Sequence, residues 1–171
     1  MALIYDKLSE IEENNEKLIK SIKLYKKLFS SEFLPKTENL NLHLVAGKRL
    51  INRLQFLGEN QEAIECIRIL IELFPNEIQF ENELGLVYLL SNNINLARKK
   101  FKNVLIKSPN NPFANVHYGF ILKQIDKNID ESIGYLKRGL DTLDKSVLDG
   151  RFFYHLGDAL QRFNKTEEVI R

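Results

Sequence analysis

Two stretches of this chain repeat at a spacing of 34 residues, and that period limits the possible fold more than any other feature. Ala63 to Pro75 and Ala97 to Pro109 each open on a small residue and close on Pro-Asn. Between those ends each carries an apolar stripe, Ile67 and Leu70 in one, Phe101, Val104 and Leu105 in the other. A period of this length fits a helix–turn–helix unit that buries its apolar face by stacking on neighbouring units. The closing proline ends the helix, because it lacks an N–H and its ring clashes with the preceding turn. A third copy runs through Ser132, Leu136 and Gly139, displaced by one extra residue in the preceding loop.

The partner segments repeat as well. Leu84-Gly85-x-x-Tyr88 is followed by Tyr118-Gly119-x-x-Leu122 and then by Leu156-Gly157-x-x-Leu160. One unit resembles the tetratricopeptide pattern closely, with Leu84, Gly85, Tyr88, Ala97, Phe101 and Pro109 at its offsets and Glu81 in place of Trp. Glycine inside a helix costs about 1 kcal/mol relative to alanine. Gly85, Gly119 and Gly157 therefore predict close approach of a facing helix, with Ala63 and Ala97 serving from the other side. Tyr88, Phe101 and Leu136 are expected to fill the space between units.

These spacings predict an all-α, tetratricopeptide-type right-handed helical-hairpin solenoid. N-terminal helices or a partial repeat occupy 1–38, with helix over 2–29 and a loop marked by Ser30-Ser31 and Pro35. Repeats fill 39–171, as units 39–75, 77–109 and 112–143 and a truncated unit 150–171. In the last, a helix is expected over 150–163 and a second one opening at Thr166-Glu167-Glu168. Stopping at Arg171 without a polar capping helix, the chain is expected to be a fragment.

Composition narrows the function. A net charge of +2, from 25 basic and 23 acidic residues, lacks the clustered excess of a nucleic-acid binder. The single cysteine, Cys66, permits neither an intrachain disulfide nor a multi-thiolate metal site, and its apolar setting predicts a packed thiol. The N-terminus lacks the basic and apolar regions of a signal peptide, and no stretch approaches the roughly 20 apolar residues of a membrane span. We expect neither nucleic-acid binding nor membrane insertion by this segment.

No catalytic constellation emerges. His117 and His155 share one repeat position, two residues before the glycine, but have no third ligand at helical spacing. Groove lining or a structural hydrogen bond accounts for them better than metal ligation. No nucleophile elbow or phosphate loop is present, and Asp149 reads as a helix N-cap ahead of Arg151. The catalytic and metal sets are expected to be empty.

The stacked first helices of a repeat array form a concave face suited to polypeptide. Register places Lys48, Arg49, Asn52 and Gln55 on it, then Asn82, Glu83, Leu86 and Leu89, then Val116, His117, Phe120 and Lys123. Arg151, Tyr154, His155, Asp158 and Arg162 complete it. The candidate groove residues are Lys48, Asn52, Phe120, Lys123, Arg151, Tyr154, His155, Asp158 and Arg162. Repeats that grip chaperone C-termini carry Lys and Asn in one unit, Asn in the next and Lys and Arg in the third; here Lys48 and Asn52 meet the first requirement, but Glu83, Phe113 and His117 occupy the others, so that clamp is broken.

Longer strings resemble one family beyond the generic repeat. They are Leu73-Phe74-Pro75-Asn76, Val116-His117-Tyr118-Gly119-Phe120-Ile121-Leu122-Lys123, and Asp149-Gly150-Arg151-Phe152 through His155-Leu156-Gly157-Asp158-Ala159. Gln55-Phe56-Leu57-Gly58 and Tyr135-Leu136-Lys137 extend the match. Over nearly its whole length the chain resembles the tetratricopeptide region of aspartyl/asparaginyl β-hydroxylase. The resemblance implies a membrane-anchored enzyme of the endoplasmic reticulum that uses Fe(II) and 2-oxoglutarate to hydroxylate Asp or Asn in EGF-like domains. It implies that the repeats precede the oxygenase domain and help form its substrate channel. Those cofactors are expected only of that domain, whose sequence is absent here, and no histidine of this chain is expected to ligate iron. The implied role is presentation of EGF-like substrate to an oxygenase domain in cis. A standalone tetratricopeptide adaptor for protein–protein interaction is the alternative.

Overall fold

Each helical hairpin turns on one residue in the left-handed backbone region, and these residues mark out the architecture. They are Glu13 (φ 50°), Gly58 (φ 75°), Asn92 (φ 58°) and Lys127 (φ 59°). The first three sit two residues beyond their helix and Lys127 sits three beyond, which is the extra loop residue read from the sequence. Only glycine adopts this conformation without steric cost from Cβ.

The computed structural model describes residues 1–29 and 40–170, with side chains through Asn164. The loop expected at Ser30, Ser31 and Pro35 lies outside the described residues. Among the described residues all regular structure is helical. The chain divides into two compact units, Met1–Phe80 and Glu81–Arg171, which are taken in turn.

The first unit holds α1 (Ala2–Ile11), α2 (Asn15–Leu28), α3 (Leu40–Phe56), α4 (Asn60–Leu73) and the start of α5 (Ile78–Leu90). Asn14 caps α2 by accepting the Lys17 N–H at 3.1 Å. Leu18, Ile22 and Tyr25 from α2, Leu50 and Leu54 from α3, and Ala63, Ile67 and Leu70 from α4 are buried, each set at helical spacing. A Cβ at Gly47 would lie 2.7 Å from Leu70, so α3 and α4 depend on its absence. Cys66 is packed here, and burial pushes its thiol up to about 12.

Asp6, fully buried, fastens α1 to this core. Tyr25 donates its hydroxyl to it at 3.2 Å, and Arg49 and Arg53 pair with its two oxygens at 3.2 and 2.5 Å. A buried carboxylate persists only when paired and hydrogen-bonded in this way. Burial, and then the Asp6 charge, push the Tyr25 phenol up to about 12.

The second unit holds the rest of α5, α6 (Ile94–Lys107), α7 (Pro112–Gln124), α8 (Ile129–Leu140) and α9 (Gly150–Ile170). Pro112 starts α7, and Asn111 caps it by accepting the Ala114 N–H at 2.9 Å. Phe101 and Leu136 are fully buried, and a Cβ at Gly85 or Gly119 would meet them at 2.8 and 2.9 Å. Gly157 differs from its two counterparts: a Cβ there meets nothing within 4 Å, so close packing is not its reason for being glycine. The expected break before Thr166 is also absent, since α9 runs unbroken to Ile170. Phe152 and Leu156 pack α9 against a core of Val116, Leu136, Leu140 and Val147, and Ala159 is fully buried on the same stripe.

Candidate functional site

With Phe152, Leu156 and Ala159 turned inward, the helical period leaves Tyr154, His155, Asp158 and Arg162 together on another face of α9. Asp149 starts the helix by accepting the Arg151 N–H at 2.9 Å, as its sequence position suggested. Phe120, Lys123 and Gln124 lie on the final turns of α7 and meet this face. Of the nine candidate groove residues, the second unit therefore assembles Phe120, Lys123, Tyr154, His155, Asp158 and Arg162. Lys48 and Asn52 belong to the first unit, where Lys48 Nζ lies 5.8 Å from the Phe80 ring and Asn52 is exposed.

Lys123 organises the cluster. Its side chain is only 2% exposed, and its ammonium lies 2.6 Å from the Asp158 carboxylate. It also reaches His155 Nδ1 at 3.3 Å and lies 5.8 Å from the Tyr154 ring centre. Arg162 donates to Asp158 at 3.1 Å from one helical turn further along. Hydrogen bonds from Lys123 and then Arg162 hold the Asp158 carboxyl below the usual carboxylate range. Partial burial, and then the Lys123 charge, lower the His155 pKa and favour a neutral ring. Phe120 meets the His155 ring edge to face, with centroids 5.0 Å apart. Tyr154, 68% exposed, lies with its ring centre 5.7 Å from that of His155. Arg151 turns instead to Asp149 and leaves most of its side chain in solvent.

Several residues placed on the concave face by register lie elsewhere. Val116 is fully buried in the core. Arg49 is committed to Asp6. Asn82 is buried and donates to Asn111 at 3.1 Å. His117, the repeat counterpart of His155, is boxed by Phe113, Phe101 and Phe152 at 4.1, 5.3 and 5.0 Å, with Nδ1 on the Phe113 carbonyl at 2.8 Å. Its role is structural. Sequence reading missed Gln124, whose amide lies 3.3 Å from His155 Nδ1; its place directly after Lys123 was the available signal.

The cluster sets the exposed Tyr154 ring beside charged and amide groups. Among the described residues no three His, Cys, Asp or Glu side chains converge, so the donor set does not fit an Fe(II) centre. No described helix is long and apolar enough to cross a membrane.

The chain is 43% identical over 162 residues to human (Homo sapiens) aspartyl/asparaginyl beta-hydroxylase and 41% identical to that of Mus musculus. Each match covers 95% of this chain, and the chain spans about a fifth (21%) of the length of those relatives. No family model matches. Among solved structures, a MamA protein aligns over 99% of this chain and 86% of its own with a TM-score of 0.67 at 14% identity. A putative kinesin light chain from Podosopora anserina with nearly identical TPR-like repeats covers 98% and 85%, with a TM-score of 0.57 at 16% identity. Such low identities speak to fold alone, and the fold is the all-α tetratricopeptide-type repeat.

Proposed function

We propose that this chain is a polypeptide-binding repeat segment that presents EGF-like-domain substrate to an aspartyl/asparaginyl β-hydroxylase domain carried elsewhere in the same protein. The observation that carries this reading is the 43% identity to a hydroxylase over 95% of the chain. The exposed Tyr154 beside Phe120 and His155 supports it, because aromatic anchors set among polar groups carry most of the energy in protein interfaces. In this reading Fe(II) and 2-oxoglutarate serve that other domain, the whole protein works in the endoplasmic reticulum, and this chain contributes binding without chemistry.

Capture of a folded EGF-like domain by the purified chain tests the proposal. Wild type retains the domain, and the triple variant Tyr154→Ala, His155→Ala, Arg162→Ala loses it. Capture that persists undiminished in the variant removes the function from this face. Absence of capture by wild type favours the adaptor alternative.

A further inference from the structure

Of the 17 asparagines in the chain, only Asn164 has a hydroxyl residue two positions on, in Asn164-Lys165-Thr166. Asparagine, any residue but proline, then serine or threonine is the acceptor pattern for N-linked oligosaccharide. An amide nitrogen is a weak nucleophile, because its lone pair is spread into the carbonyl. The transferase must therefore grip the acceptor closely, and the hydroxyl two residues on is part of what it grips. Asn164 is exposed near the C-terminal end of α9, and its place on the helix suits a large substituent. Phe152, Leu156 and Ala159 form the packed stripe of α9, while Tyr154, His155, Asp158 and Arg162 share another face. Asn164 falls about a third of a turn round from each. A glycan there covers neither the core contacts nor the candidate groove residues. Transfer requires the tripeptide to leave helical geometry, and the end of a helix opens at low cost.

We infer that Asn164 is an acceptor for N-linked oligosaccharide in the lumen of the endoplasmic reticulum. In the transfer its side-chain nitrogen attacks C1 of the first sugar of a polyprenyl-diphosphate-linked oligosaccharide. The N–C1 bond forms as the C1–O bond to the diphosphate breaks. The electron pair leaves with the lipid diphosphate, the nitrogen gives up one proton, and nothing is oxidised or reduced. The inference rests on the endoplasmic-reticulum placement proposed above and adds a modification that polypeptide binding does not require.

The test expresses the full chain behind a cleavable endoplasmic-reticulum signal in cultured eukaryotic cells. The lumen-directed chain is expected to run as a heavier band that peptide N-glycosidase returns to the unmodified mobility. That enzyme converts the glycosylated amide to a carboxylate, and tandem mass spectrometry is expected to locate the change at position 164. Asn164→Gln and Thr166→Val abolish the heavier band, and Thr166→Ser retains it. A lumen-directed chain of unmodified mobility, or a heavier band that survives Asn164→Gln, overturns the inference. Circular dichroism melts before and after glycan removal check the placement on α9. An equal or higher melting temperature with the glycan is expected, and a clear fall contradicts that placement. The two readings fail separately. If the lumen-directed chain is glycosylated but immunofluorescence finds the natural protein outside the endoplasmic reticulum, Asn164 stays an acceptor and the location is removed. A natural protein inside that compartment, with a lumen-directed chain that stays unmodified, does the reverse.

Discussion

The Lys123 ammonium lies 2.6 Å from the Asp158 carboxylate, with the lysine almost wholly covered and the aspartate open to solvent on one side. Removing either partner therefore has unequal consequences. Lys123→Met leaves Asp158 with Arg162 and water. Asp158→Ala strands a buried ammonium, the costlier defect. Urea unfolding is expected to place the midpoint of Asp158→Ala clearly below that of Lys123→Met, and the reverse order contradicts the burial of Lys123.

The three equivalent glycines make a sharper series. At Gly85 an added Cβ meets the Phe101 ring at 2.8 Å, and at Gly119 it meets the Leu136 backbone nitrogen at 3.0 Å. Gly85→Ala and Gly119→Ala are expected to destabilise by about 1–3 kcal/mol, with Gly119 worse because backbone yields less than a ring. Gly157→Ala meets nothing and gains helix propensity, so it is expected to stabilise by about 0.5–1 kcal/mol. Thermal melts of the three variants check the sign.

That series also marks where the sequence was legible. Periodicity identified the hairpins, because both helices of a unit lie within one period of each other, but it assigned Phe101 and Leu136 to the space between units, whereas each also faces the glycine of its own hairpin, Gly85 or Gly119. It treated Gly157 as equivalent to Gly85 and Gly119, yet a repeat position records an inherited pattern and does not itself supply a facing helix. The same equivalence failed for the histidines. His117 sits in an aromatic box with Nδ1 on the Phe113 carbonyl, whereas His155 is half-buried with Nδ1 beside Lys123 and Gln124. Most hidden were the ion pairs, since Asp6 finds Arg49 and Arg53 across 43 and 47 residues at no repeat spacing. Register put Arg49 on the concave face because no local signal reveals a carboxylate that distant.

His117 gives the fold a pH dependence. Burial holds its pKa down to about 4 against an ordinary 6.5; the Arg151 charge adds to this, and the Phe113 carbonyl and Asp149 oppose it. Above pH 6.5 the ring is neutral in both folded and unfolded chains. Below it the unfolded chain takes up a proton that the folded chain refuses until about pH 4, so stability falls across that window, by about 3 kcal/mol. Urea unfolding at pH 7 and pH 4 is expected to show a loss smaller by that amount in His117→Leu. An equal loss in the two proteins contradicts a buried neutral ring.

Lys127 turns the α7–α8 hairpin at φ 59° with a side chain that disfavours it. Lys127→Gly relieves roughly 1 kcal/mol of backbone strain, partly offset by the greater freedom of glycine in the unfolded chain. A small net gain in melting temperature is expected, whereas the same substitution at helical Lys102 lowers it.

The central claim is that polypeptide is recognised on the α7 and α9 face. Titration of the nitrogen-15-labelled chain with an EGF-like domain, followed by amide NMR shifts, tests it most directly. The account predicts that the largest changes cluster at Phe120, Lys123, Tyr154, His155 and Asp158. Shifts concentrated on α4 or α6, with those five residues unmoved, contradict it.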